Sequence, residues 1–166
     1  MRKTFFILMC LTAMIFSGCK TDKRIDPTVM PEITTTGEHT FGCLVDGWVT
    51  VGGRYYDNGS PYIYDNNHSI VFRYYKSSDY IDVCVKVAEQ PNEYLKFRIN
   101  DVSLKNCTFT NARYSDEKES DAGEIKLDDL GNVKIEFMND SAKIISGTFS
   151  GTRITEGRFD VHYQLK

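Results

Sequence analysis

Histidines and carboxylates are the side chains in this sequence that could support catalysis or bind a metal. His39, His68 and His162 have no second histidine, cysteine or carboxylate at a metal-ligand spacing, so we expect no metal and no cofactor. The 23 acidic residues are scattered. A glycosidase needs two carboxylates about 5 to 9.5 Å apart across a cleft, and no pair stands out. The sequence therefore favours a protein that is not an enzyme, with a hydrolase using a carboxylate pair as the alternative.

Tyrosines form the most conspicuous cluster, with eight between residues 55 and 94. Tyr55, Tyr56, Tyr62 and Tyr64 flank two turn sequences rich in Asp, Asn and Gly. Tyrosine offers a flat apolar face and a polar tip, which suits the ring of a sugar or the surface of a protein. We expect these four residues to contact a ligand on a rim formed by residues 54–80. The alternative is that the rings pack across neighbouring strands, as aromatic residues commonly do in sheets.

The first eighteen residues have the pattern of a secretory signal peptide. Arg2 and Lys3 precede a twelve-residue apolar run from Phe5 to Phe16, and the small residues Ser17 and Gly18 follow it. The tetrapeptide that ends in Cys19 resembles a bacterial lipobox, in which the cysteine thiol receives a diacylglyceryl group and the chain is cut before it. We therefore expect a lipoprotein signal peptide over residues 1–18 and a lipidated Cys19, whose acyl chains hold the protein on a membrane.

Residues 19–38 carry mixed charges, two prolines and a threonine run without an apolar period, which is typical of a flexible tether. Residues 39–166 then form one domain. The full chain has 20 basic and 23 acidic residues, and loss of Arg2 and Lys3 with the signal peptide leaves a net charge of −5. A general nucleic-acid partner is excluded, because such a protein needs a basic surface to displace counterions from phosphates.

The domain has the period-two alternation of β-strands, seen most clearly where Ile81, Val83 and Val85 alternate with polar residues. The pattern predicts an all-β domain of about nine or ten short strands, arranged as an antiparallel sandwich or a calycin-like barrel. Asp46-Gly47 predicts a type I′ hairpin turn. Residues 128–132 are predicted as a second hairpin loop, and residues 115–123 as an exposed acidic loop. In Tyr74-Tyr75, alternation sends one ring to each face of the sheet.

Three cysteines remain after Cys10 in the signal peptide and the lipidated Cys19 are set aside. Alternation places Cys43 and Cys107 on apolar faces and Cys84 on the opposite face of its strand. We expect either a disulfide between Cys43 and Cys107 or two buried thiols, with Cys84 free and outside the core.

The two ends of the domain carry a family resemblance. The segment Thr40–Gly47 resembles the opening of the small uncharacterised lipoproteins of Bacteroidetes, and the segments Ile144–Phe149 and Thr155–Asp160 are similar to their closing strands. The resemblance implies a lipid-anchored β-rich protein of the outer membrane, on its periplasmic side or at the cell surface. It carries no assigned activity. The function expected from the whole sequence is non-catalytic binding or display, with a glycan or a peptide as ligand. A hydrolase of the envelope and a scaffold for a partner lipoprotein are the alternatives.

Overall fold

The computed structural model describes residues 29–57, 60–64, 66–87 and 93–166, with the side chains of residues 54–67 left out. Twelve strands lie within these ranges: β1 Thr40–Val45, β2 Trp48–Val51, β3 Arg54–Asp57, β4 Ser60–Tyr64, β5 Ile70–Tyr75, β6 Tyr80–Lys86, β7 Tyr94–Asn100, β8 Asn106–Ser115, β9 Ile125–Lys126, β10 Gly131–Asn139, β11 Ile144–Gly151 and β12 Ile154–Leu165. A single helical turn, α1, covers Asn66–Ser69, and Lys76–Ser78 and Val102–Leu104 form 3-10 turns. No helix in this part of the chain is long and apolar enough to cross a membrane.

Seven strands close into a barrel in the order β11-β10-β8-β7-β6-β5-β12, and β12 returns to pair with β11. One edge of β12 pairs with β11, while its other edge pairs first with β1 and then, in parallel, with β5. The β1–β2 hairpin extends the sheet beside β12, and β3 and β4 form a separate two-stranded hairpin. The predicted all-β class is confirmed, and the alternative of a barrel is the one that the structure adopts.

Phenylalanines fill the interior of the barrel, because the period-two pattern turns the apolar side chain of each pair inward. Phe149 lies at the centre, with its ring centroid 5.2 Å from that of Phe97 and 5.5 Å from that of Phe41. Phe72, Phe109 and Phe159 complete the cluster, and all six side chains are buried. These side chains occupy the interior of the barrel.

The predicted turn at Asp46-Gly47 is confirmed, since both residues have positive φ, at 50° and 83°. The predicted hairpin over residues 128–132 is wrong. Strands β9 and β10 do not pair with each other, because both pair with the same edge of β8. Between them Asp129 turns inward and accepts hydrogen bonds from the backbone N–H groups of Thr152, Arg153 and Ile154. The buried carboxylate thus fixes the turn between β11 and β12.

The last residues of the expected tether lie on the domain. Asp160 of β12 is buried and accepts hydrogen bonds from the hydroxyl of Thr34 and from the backbone N–H groups of Thr36, Gly37 and Glu38. Hydrogen bonds to an ionised carboxylate are about twice as strong as neutral ones, so this contact holds residues 34–38 against the barrel. Of the earlier part of the tether, residues 19–28 lie outside the described residues.

Cys43, Cys84 and Cys107 are all free and buried. Cys43 and Cys107 belong to the apolar core. Of the two predicted alternatives, the structure therefore has two buried thiols and not a disulfide. Cys84 is free and lies on the opposite face of its strand, outside the main core cluster, as predicted, but it is nevertheless buried. The loop that follows β8 covers it, and its Sγ lies 3.7 Å from the carbonyl oxygen of Lys118.

We predict that the three thiols of the domain do not react with iodoacetamide in the native protein at about pH 8. Burial raises the pKa of Cys43 to about 12 and that of Cys107 to about 11, and it also raises the pKa of Cys84, so little thiolate is present. Because the unfolded thiols ionise near 9.0, stability should fall as the pH rises above that value. Peptide mapping with and without denaturant tests this, and a native protein alkylated at Cys43 would contradict it.

Leu95 and Leu104 offer a matched test of the core. Leu95 is fully buried in β7, whereas Leu104 is 67% exposed in a 3-10 turn. Leu95→Ala should cost about 2 to 5 kcal/mol of unfolding free energy, because it removes contacts and leaves a cavity. Leu104→Ala should change it by less than about 0.5 kcal/mol. Chemical denaturation measures both, and equal effects would show that the barrel interior is placed wrongly.

Candidate functional site

The outward-facing side chains of β5–β8 form ordered polar rows on the barrel surface, which we call the outer face. Strand register aligns Arg73, Asp82, Arg98 and Thr110 in one row. The next row contains Tyr75, Tyr80, Asn100 and Thr108. Strands lie about 4.8 Å apart and successive rows about 7 Å apart, so these side chains are direct neighbours.

Arg98 is the hub of the outer face. Its Nε donates to Asp82 Oδ1 at 2.7 Å and its Nη2 to Asp82 Oδ2 at 3.2 Å, so both carboxylate oxygens are engaged. The same guanidinium lies over the ring of Tyr80, 3.9 Å from its centroid. The hydrogen bonds to Asp82 raise the pKa of Arg98, although partial burial acts against this. The fork is therefore held rigidly beside the aromatic row.

Tyr75 and Tyr80 stack on each other, with ring centroids 4.7 Å apart and an interplanar angle of 22°. Since β6 lies between β5 and β7, Tyr80 is enclosed by Tyr75 on one side and by Arg98 on the other. Tyr75 lies at the outer end of this stack and is half-buried. Asn100 and Thr110 add polar groups nearby, joined by a hydrogen bond of 3.1 Å from Asn100 Nδ2 to Thr110 Oγ1.

An open groove of about 820 Å³ begins at Arg98 and runs towards the loop over residues 115–124. Arg73, Lys96 and Arg113 line it from the strands, and the loop supplies Glu119 and Asp121. Arg73 Nη2 donates to Glu119 Oε1 at 2.9 Å, and Arg113 Nη2 lies 3.0 Å from Asp121 Oδ1.

Lys96 is the deeply buried cation of the groove, with 7% of its side chain exposed. Its Nζ donates to Ser115 Oγ, to the carbonyl oxygen of Ser120 and to Asp121 Oδ1. The loop over residues 115–124 is mostly exposed, as predicted. These bonds also hold it over the face of β6 that carries Cys84. The loop therefore builds one wall of the groove.

Asp121 is a carboxyl group of the groove with a lowered pKa. Burial raises the pKa of Asp121, but the hydrogen bonds and charges of Arg113 and Lys96 outweigh this and lower it. Asp82 is held by Arg98. A raised pKa does occur at Glu93, through burial and the nearby charge of Asp116, but neither residue lines the groove. General acid catalysis of glycoside hydrolysis requires such a raised pKa at the cleft.

The tyrosines singled out in the sequence are divided between described and undescribed parts. Tyr55, Tyr56, Tyr62 and Tyr64 lie on the hairpin β3–β4, but their side chains lie outside the described residues. Cys19 also lies outside the described residues.

The expectation for Tyr74-Tyr75 is confirmed. Tyr74 is buried with its ring against Tyr163, and Tyr75 points to the outer face. Sequence reasoning missed the partnership of Tyr75 with Tyr80 and Arg98. The signal was the alternation of Arg73 with Tyr75 and of Tyr80 with Asp82 across a short turn.

His39 and His162 come together beside the turn between β10 and β11, with ring centroids 6.0 Å apart. The backbone N–H of His162 donates to Nδ1 of His39 at 3.1 Å, and the His162 ring contacts the carbonyl oxygen of Ala142. Within the described ranges, no group of three histidine, cysteine or acidic residues is placed to hold a metal ion.

No protein-family model, no curated protein and no solved structure matches this chain.

Proposed function

We propose that this protein is a lipid-anchored domain of the bacterial cell envelope that binds a carbohydrate on its outer face without transforming it. The observation that carries the proposal is the stack of Tyr75, Tyr80 and Arg98 beside an open groove. A sugar ring has an apolar face that packs on an aromatic ring and hydroxyl groups that require hydrogen-bond partners. Both kinds of group lie here on adjacent rigid strands.

Tyr75 is the platform of the proposed site. Tyr80 and Arg98 fix its orientation, because Tyr80 fills the space between Tyr75 and the guanidinium. A ring held in this way loses little side-chain freedom when a ligand stacks on it, which favours affinity. Asn100 and Thr110 provide amide and hydroxyl groups that suit the hydroxyls of a sugar.

The proposed membrane attachment is through Cys19, as the sequence pattern indicates. Two or three acyl chains on one residue anchor a protein stably, whereas a single chain does not. The proposed location is the outer membrane, in line with the resemblance to the lipoproteins of Bacteroidetes. The stretch of residues 20–28 spans at most about 30 Å when extended, so the barrel would remain close to the bilayer.

Replacing Cys19 tests the anchor. Cys19→Ala should abolish incorporation of a fatty-acid probe and move the protein from the membrane fraction to the soluble fraction. Cys84→Ala is the matched control, because that thiol is buried in the domain and should leave membrane attachment unchanged. Retention of the Cys19→Ala protein in the membrane after a salt wash would contradict lipid anchoring at this residue.

Replacing Tyr75 tests the platform. We expect the wild-type protein to retain at least one member of a panel of neutral and acidic polysaccharides in affinity electrophoresis. Tyr75→Ala should weaken that binding by about tenfold, as loss of one aromatic stacking contact predicts. Its melting temperature should change little, since the ring is partly exposed on the outer face.

Trp48→Ala is the control, because Trp48 is 80% exposed but lies on the β1–β2 hairpin, away from the outer face. Equal loss of binding in both variants would show that any exposed aromatic residue suffices and would refute the proposed site. The alternative of a hydrolase would be supported if the wild-type protein released reducing ends from a polysaccharide and the Glu93→Gln variant did not.

A further inference from the structure

The strands that line the groove contribute more positive than negative charge. The cations are Arg73, Lys96, Arg98, Arg113 and Lys126, and they lie there with a single strand carboxylate, that of Asp82. Both oxygens of Asp82 bond Arg98. The strands therefore supply no counterion for Arg73, Lys96 or Arg113.

The loop over residues 115–124 supplies the missing negative charge. Glu119 bonds Arg73, and Asp121 bonds both Arg113 and Lys96. These carboxylates are much more exposed than their partners. Glu119 is 71% exposed against 23% for Arg73, and Asp121 is 51% exposed against 7% for Lys96. The cations belong to the strands at the base of the groove, whereas the anions belong to the more exposed loop.

This arrangement has the form of an acidic segment bound to a basic surface. The ion pair between Glu119 and Arg73 faces solvent, and such pairs contribute little because water screens them and the side chains lose freedom. Another carboxylate can therefore replace Glu119 at small cost. The planar fork of an arginine binds a carboxylate through two parallel hydrogen bonds, so Arg73 is suited to the exchange.

We propose that the groove recognises an acidic glycan, one whose sugars carry carboxylates, and that Glu119 competes with it for Arg73. This inference rests on the proposed function, since it names the class of carbohydrate bound at the same site. Arg73 and Tyr75 lie two residues apart on the same face of β5, about 7 Å from each other along the strand. One glycan chain can therefore place a ring on Tyr75 and a carboxylate on Arg73.

The probes are polygalacturonate, a polymer of uronic acid, and dextran, which is neutral. We expect the wild-type protein to bind polygalacturonate more tightly than dextran at low ionic strength. This preference should disappear near 1 M salt, where the Debye length is about 3 Å. Arg73→Gln should reduce the binding of polygalacturonate to the level of dextran, with thermal melts used to check that the variant folds.

Glu119→Gln is the sharper test, because it alters an exposed side chain and predicts a gain. Removing the competing carboxylate should tighten the binding of polygalacturonate by about two- to fivefold, as expected for the loss of one exposed ion pair. Glu136→Gln is the matched control. It breaks a pair with Lys134 of 2.8 Å on β10, away from the groove, and should leave binding unchanged.

The outcomes separate this inference from the proposal beneath it. If dextran binds as well as polygalacturonate and Glu119→Gln changes nothing, the acidic class is wrong, while loss of dextran binding in Tyr75→Ala would still support the carbohydrate site. If neither polymer nor any member of the polysaccharide panel binds, both fall. Equal gains from Glu119→Gln and Glu136→Gln would refute the competition, because they would reflect only the lower net negative charge.

Discussion

Closure of the barrel by β12 is the constraint on which the rest of the structure depends. This strand of twelve residues pairs with β11 along one edge and with β1 and then β5 along the other. Parallel pairing requires a long connection between the two strands. Here that connection contains most of the barrel, so the last strand can take its place only when the other walls exist. An open sheet would leave two unpaired edges, and closure removes them.

Closure also decides where a ligand can bind. The pleat sends alternate side chains inward, and phenylalanines fill the interior. The outer face of a small barrel is convex, which is a poor shape for enclosing a ligand. The loop over residues 115–124 provides a second wall. It leaves the end of β8 and leads into β9, which pairs with the edge of β8. A groove forms between the loop and the strands, and the buried Lys96 holds the two walls together.

The parts of the fold that the sequence predicted depend on neighbouring residues. The turn at Asp46-Gly47 needs two adjacent residues with positive φ, and the division of Tyr74 from Tyr75 needs only the pleat. The parts that it missed depend on distant partners. Asp160 bonds residues more than 120 positions away, and Asp129 bonds a turn more than 20 positions away. In the sequence alone, both residues resemble ordinary surface carboxylates, because their partners come close only when the barrel closes. The burial of Cys84 was missed for the same reason, because its cover comes from a loop 34 residues later.

The charge of the whole protein and the charge of the groove have opposite implications for an acidic ligand. The chain without its first eighteen residues has a net charge of −5, which would repel an acidic ligand at long range. Fields from exposed charges fade beyond about 8 Å at physiological ionic strength, however, so recognition is decided by contacts inside the groove. There the two arginines and the lysine that lack a strand counterion are already oriented by the loop. A ligand must therefore match the geometry of the carboxylates it replaces, and a neutral sugar gains nothing from Arg73 while Glu119 occupies it. Selectivity on this face would then come from short-range exchange rather than from long-range attraction.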